Sequence, residues 1–203
     1  MSETGHRYFI INKPANMVSQ FVSSHEVGLL GNIDFNFPEG THAIGRLDSS
    51  SEGLLILTTN KKVTRLLFQG IVPHKRVYLV LVKHFVSEET LNLLRNGVNI
   101  PVKGAADYMT TVCGAEIIIN PRNIFPQATE IAAYIPHTWL LITLSEGKFH
   151  QVRKMVGSIR HRCKRLIRVA IEDLALGNLE PGEVKEIAEQ DFFKLLKIDN
   201  WLA

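Results

Sequence analysis

The 203-residue chain is poor in cysteine, has no long apolar run and, over one stretch, contains no acid. Its two cysteines, Cys113 and Cys163, stand far apart with no metal-type spacing, which excludes a disulfide scaffold or a zinc ribbon. That usage suits a reducing, cytoplasmic setting. No apolar run approaches the roughly 20 residues needed to cross a bilayer, so no membrane partner is expected. The N-terminal Met1–Arg7 lacks the basic and apolar regions of a signal peptide. Gly-rich phosphate loops and dinucleotide fingerprints are missing, and Ser49-Ser50-Ser51 is not a nucleophile elbow. The histidines share no ligand spacing. Neither metal nor cofactor is expected, and neither repeats nor low-complexity linkers interrupt the chain.

Charge is informative through its distribution. The formal net charge is only +3. Between Gly147 and Ile171 no acid occurs, whereas Lys148, Arg153, Lys154, Arg160, Arg162, Lys164, Arg165 and Arg168 all fall there, with His150 and His161 among them. A solvated helix face could carry such a run, but one-signed clustering on this scale favours a polyanionic partner.

The length suits one domain, or two small halves sharing a sheet. Tyr8-Phe9-Ile10-Ile11 is a strand candidate stopped at Asn12-Lys13-Pro14, and residues 19–41 read as loop with short structure. Leu54-Leu55-Ile56-Leu57 reads as a buried strand, and Val63–Phe68 as a short helix burying Val63, Leu66 and Leu67 and ending before Gly70. Val77–Val82 predicts a central strand. Ser87 caps a helix with Glu88 and Glu89 in its first turn, Leu91 and Leu94 inward and Gly97 just past its end. Pro101–Thr111 predicts a loop, Glu116–Ile119 a short strand and Trp139–Leu144 another buried strand. The spacing from Lys148 predicts a helix with Phe149, Val152, Val156 and Ile159 on one apolar stripe. Strands predominate without a regular βαβ rhythm, so the expected class is α+β with a mixed, mostly antiparallel sheet.

The segment from His42 to Thr58 is the most informative. Its Gly45-Arg46-Leu47-Asp48 core sets a carboxylate beside an arginine in a polar stretch, directly before Gly53 and the apolar run. A carboxylate in a turn at the mouth of a buried strand is rigidly mounted, which chemistry needs and packing does not. Taken alone, Asp48 could be a plain turn former. The segment nevertheless resembles the catalytic motif of the pseudouridine synthases, in particular the RsuA/RluB/RluE branch. Tyr8–Pro14, Lys75-Arg76-Val77-Tyr78, Ser145–Met155, Arg165-Leu166-Ile167-Arg168 and Gly177–Glu183 match further motifs in order, across nearly the whole chain.

The resemblance implies a pseudouridine synthase fold over residues 1–203, with two α+β halves flanking a catalytic cleft. It implies a cofactor-free isomerisation of a flipped-out uridine. Asp48 would be the nucleophile, Tyr78 the aromatic over the uracil, and Arg153 the cation that keeps Asp48 ionised. Arg46, Lys148, His150, Gln151 and Arg168 would contact substrate, and Leu166 or Ile167 would wall the uracil pocket, although both could be plain core. The partner implied is ribosomal RNA, of the large subunit, for a monomeric enzyme. Many relatives carry an S4 RNA-binding domain before the first strand. This chain enters the catalytic motifs by Tyr8, as RluE-like enzymes do.

It also departs from the family pattern. Ser50 stands where a second acid is usual, Glu172 where glycine is common, and Val184 where tryptophan is frequent. A catalytically idle RNA-binding or ribosome-assembly factor on the same scaffold is the rival reading, against which intact Asp48, Tyr78 and Arg153 argue. A carboxylate hydrolase would want a second acid facing Asp48, and only Glu52, Glu146 or Asp173 lie near a motif. Glu146 reads as a structural cap or ion-pair member.

Overall fold

The computed structural model describes residues 5–69, 73–132, 134–199 and 201. Gly70, expected just past the first helix, lies outside them, as do residues 1–4 of the leader reading. In chain order the elements are β1 (Tyr8–Lys13), β2 (His42–Ile44), β3 (Glu52–Thr58), α1 (Lys62–Phe68), β4 (Arg76–Lys83) and α2 (Glu88–Asn96). Then follow β5 (Asn99–Ile100), β6 (Tyr108–Met109), β7 (Gly114–Ile118), β8 (His137–Leu144), α3 (Gln151–Ser158), β9 (Cys163–Ile171), β10 (Leu174–Ala175), β11 (Val184–Ile187) and α4 (Glu189–Leu195). The chain forms two compact units, residues 1–74 with 168–203, and residues 75–167.

In the first unit β1 lies between β11 and β3, antiparallel to both, with Phe9 opposite Glu186 on one side and Leu57 on the other. Strand β2 adds beyond β3, pairing Ile44 with Ile56. All of Leu54–Leu57 is buried, so β3 is covered on both faces, which is what its unbroken apolar run requires. Helix α1 buries Val63 and Leu67 but leaves Leu66 half-buried, so only part of its expected stripe faces inward. Helix α4 was not expected from the sequence. It buries Phe192 and Phe193 against Tyr8, with ring centroids 4.6 and 5.4 Å away. Burial, and then the hydrogen bond its hydroxyl donates to Glu189, push the Tyr8 pKa well above the ordinary phenol range.

Glu172, at the turn from β9 to β10, has φ +48, a left-handed conformation in which a side chain is strained and glycine is not. Its carboxylate, 8% exposed, lies 3.2 Å from Lys197 Nζ and 3.8 Å from His74 Nδ1. Those contacts offset the backbone cost at a position where the resemblance leads one to expect glycine.

In the second unit β8 is central, antiparallel to β4 and β7, with Leu140 opposite both Val80 and Ile117. The buried cluster joins Val80 and Val82 of β4, Leu91 and Leu94 of α2, Leu140 and Ile142 of β8, and Val152, Met155 and Val156 of α3. Ser87 Oγ accepts from Thr90 N as the N-cap, with Glu88 and Glu89 in the first turn and Gly97 closing the helix, as expected. Two expectations are corrected. The segment 101–111 is not all loop, because β6 pairs with β5, Tyr108 opposite Ile100. Helix α3 starts at Gln151 rather than Lys148, because His150 takes a left-handed conformation, φ 55 and ψ 28, that breaks the helix before it. Phe149 therefore leaves the apolar stripe and is 73% exposed, while Val152, Met155, Val156 and Ile159 keep the stripe at helical spacing.

Gly97 is tightly enclosed. It has φ +92, and a Cβ there would stand 2.3 Å from Thr110 O, a backbone atom. Gly97→Ala should lower stability by about 3 kcal/mol from strain plus overpacking. Urea unfolding should show a lower midpoint at unchanged m-value. A midpoint equal to that of the wild type would contradict this.

Candidate active site

In the first unit the loop between β2 and β3 carries Asp48, half-buried, with Arg46 exposed beside it. Gly45 opens that loop at φ +72, where a Cβ would come within 2.9 Å of the Phe68 ring. Three tethers hold it. Ser19, buried, donates from Oγ to Leu47 O and accepts from Leu47 N, each at 3.0 Å. Ser51 N donates to Asp48 O at 2.9 Å, closing the turn before β3. Lys13, at the end of β1 and fully buried, donates from Nζ to Met17 O at 2.6 Å and Pro14 O at 2.8 Å, and reaches Ser49 O at 3.5 Å. The 14–19 segment and the Asp48 turn are thus laced to each other and to β1.

A buried lysine bonded only to carbonyls needs anionic support. Burial pushes the Lys13 ammonium down to about 8, while Glu52 and Asp48 pull it upward and Arg168 pushes it down further. Arg168 is itself buried, 3% exposed, and its Nε donates to Leu54 O at 2.8 Å. The structure thereby brings Asp48, Glu52, Lys13 and Arg168 into one electrostatic group. Lys13 was visible in sequence only as part of a matching Asn-Lys-Pro motif. Nothing in the residue type announced its burial, since lysine is among the least buried side chains.

The second unit carries the remaining expected residues. Tyr78 sits on β4 opposite Ile142, partly buried against the core cluster. Arg153 lies on α3, partly buried, and its Nη1 faces Cys163 Sγ at 3.6 Å. Burial raises the Cys163 thiol pKa despite the Arg153 charge. Leu166 belongs to the core cluster, and Ile167 is fully buried.

The approach to α3 is built around Glu146. Its carboxylate accepts from Tyr108 Oη at 2.6 Å, Thr111 N at 3.1 Å and Gln151 Nε2 at 2.5 Å. Burial alone would raise the Glu146 pKa, but these bonds and the Lys148 charge hold it below the usual carboxylate range. Gln151 is buried, and its Oε1 accepts from Lys148 N at 2.8 Å, so both ends of its amide are used inside the protein. Lys148, Phe149 and His150 are exposed, with Lys148 Nζ 4.6 Å from the Tyr108 ring centroid. Of the three residues implied as catalytic, Asp48 belongs to the first unit and Tyr78 and Arg153 to the second. Among the described residues no three His, Cys, Asp or Glu side chains converge as a metal site, and no helix is long and apolar enough to cross a membrane.

A Gly-Arg-Leu-Asp turn clamped at the mouth of a buried strand, in a mostly antiparallel α+β fold, defines a class. The family profile described as RNA pseudouridylate synthase matches residues 7–158, and the chain belongs to that family of uridine-isomerising enzymes. It is 36% identical over 185 residues to "Ribosomal large subunit pseudouridine synthase E" of Vibrio parahaemolyticus, covering 89% of this chain and 74% of that one. The protein of the same name from Vibrio vulnificus is 35% identical, with 93% and 78% covered. Among solved structures, "Crystal structure of pseudouridylate synthase" superposes with a TM-score of 0.75 at 24% identity, covering 94% of this chain and 74% of that one, and shows the shared fold.

The lysine clamp has a pH signature. The folded state gives up the Lys13 proton near pH 8, whereas the unfolded chain keeps it up to the ordinary value of 10.5. Across that window the unfolded state holds more protons, so raising the pH favours the folded state at this group. The stability of the wild type relative to Lys13→Met should therefore be lowest below about pH 8 and rise towards about pH 10. Urea unfolding of both proteins across this range measures it. A constant difference would mean that Lys13 stays charged throughout.

Proposed function

We propose that the protein isomerises a specific uridine of large-subunit ribosomal RNA to pseudouridine, with Asp48 as the nucleophile. The observation that carries this reading is the mounting of Asp48 in a turn locked by Ser19, Ser51 and Lys13. The similarity to proteins named for the ribosomal large subunit supports the choice of RNA.

The chemistry is internally balanced. The bond from ribose C1′ to uracil N1 breaks, the base turns, and a bond from C1′ to C5 forms. C5 loses a proton and N1 gains one, so no oxidant, reductant or co-substrate is consumed. Asp48 engages the ribosyl carbon, directly or by starting glycal formation, and must be ionised to do so. Arg153 is the cation assigned to keep it so. Tyr78 offers a ring to stack on the extruded uracil and a hydroxyl towards C5. Arg46, Lys148 and His150 are assigned to the surrounding RNA, whereas Arg168, expected there too, is buried and bonded to Leu54 O, so it supports β3 rather than touching RNA. Gln151 serves by fixing the approach to α3, and Leu166 and Ile167 by forming the apolar backing of the uracil pocket. The enzyme acts as a cytoplasmic monomer.

Asp48→Asn keeps the shape of the side chain and removes its charge. It should lower pseudouridine formation by at least about a thousand-fold while leaving the circular dichroism spectrum and RNA affinity intact. Mapping pseudouridine after incubation with protein-free large-subunit rRNA, small-subunit rRNA and tRNA checks both parts of the reading. Modification is expected in the first RNA alone. Near-normal turnover by the variant would overturn the nucleophile, and preference for another RNA would overturn the large-subunit target.

Affinity should come largely from phosphate neutralisation. Arg160 and Arg162 are exposed and, with Arg153, His161 and Cys163, line an open cavity of about 490 Å³. Replacing both Arg160 and Arg162 by glutamine should weaken RNA binding and flatten the slope of log affinity against log salt by about 1. An unchanged slope would mark the cluster as a merely solvated face.

A further inference from the structure

Phe149 calls for a function because folding does not supply one. It lies outside the apolar stripe of α3 and is 73% exposed, while the core beneath it is closed by Val152, Met155 and Val156. Its ring is stacked on His150 with centroids 3.8 Å apart and planes at 17°. The left-handed backbone of His150 is what turns the two rings outward together. One ammonium group, which also donates to Pro101 O at 2.7 Å, lies against the pair, and a second stands over the nearby Tyr108. Lys154 Nζ lies 5.5 Å from the Phe149 ring centroid, and Lys148 Nζ lies over Tyr108. Glu146, the acid next to this surface, is already bonded to Tyr108, Thr111 and Gln151.

Stacked rings interleaved with ammonium groups fit a single-stranded nucleic acid, whose bases present flat π-faces and whose phosphates are spaced along the strand. An apolar protein segment would bury Phe149 but gain nothing from the two lysines, and charge complementarity therefore selects the polyanion. We propose that the Phe149–His150 pair is a stacking platform for an unpaired base of the bound RNA, with Lys148 and Lys154 taking the adjacent phosphates. The proposal rests on the RNA reading above and adds to it an element that grips the strand. Because any base can stack, the platform contributes affinity and strand direction rather than sequence choice.

The test separates stacking from charge. The probes are an oligouridylate of about 12 nucleotides and a strand of equal length and charge whose sugars carry no bases. Wild type should bind the oligouridylate the more tightly of the two, and Phe149→Ala should lose about ten-fold for the oligouridylate and little for the abasic strand. Its salt slope should be unchanged, since no charge is removed. Phe149→Trp should restore binding, and its added indole emission should be quenched by the oligouridylate and not by the abasic strand. Phe149→Ala binding the oligouridylate within two-fold of wild type, or equal quenching of Phe149→Trp by both strands, would overturn the platform while leaving the isomerase reading intact. Failure of wild type to bind large-subunit rRNA or either strand would overturn the RNA reading, and the platform with it.

Discussion

A single buried ammonium holds the first unit in working order. Lys13 is the last residue of the strand that pairs with both β3 and β11, and its Nζ reaches into the two loops that frame Asp48. Hydrogen bonds to carbonyl oxygens orient the ammonium but do not neutralise it, so its charge must be balanced by Asp48 and Glu52 nearby. Asp48 and the clamp are therefore one electrostatic unit. Removing the cation would loosen the turn, and removing the carboxylate would leave the cation less well supported. Arg168, bonded to the backbone of β3, adds a second buried positive charge to the same balance.

Much of this was legible in the sequence because local rules and the fold agree. The unbroken Leu54–Leu57 run is a doubly covered strand, Ser87 and Gly97 bracket their helix, and Asp48 occupies a turn directly before β3. What escaped detection depends on distant partners. Helix α4 takes its place because Phe192 and Phe193 pack on Tyr8, some 180 residues earlier, and no local period encodes that contact. The pairing of β6 with β5 needs only two residues from each side, too few to show an alternation.

The candidate site was legible as a set of motifs but not as a division of labour. Gln151 matched a motif and was read as a substrate contact, yet it is buried with both amide ends engaged. Phe149 fitted a helical stripe by spacing, yet one residue with positive φ placed it outside the helix. The backbone at His150 decides where Phe149 lies, whereas Gln151 is fixed by its bonds to Lys148 N and Glu146. Periodicity assumes a continuous helix, and a left-handed residue ends that assumption where it stands.

Glu172 carries a consequence for how the chain tolerates change. A residue held in a left-handed turn by His74 and Lys197 has exchanged conformational ease for side-chain partners. The three positions are then coupled. Loss of His74 or Lys197 would leave a strained, desolvated carboxylate, but the same loss beside a glycine at 172 would cost far less. The order of substitutions matters, and this turn is a point of epistasis, where a residue acceptable in one relative is harmful when moved alone into another.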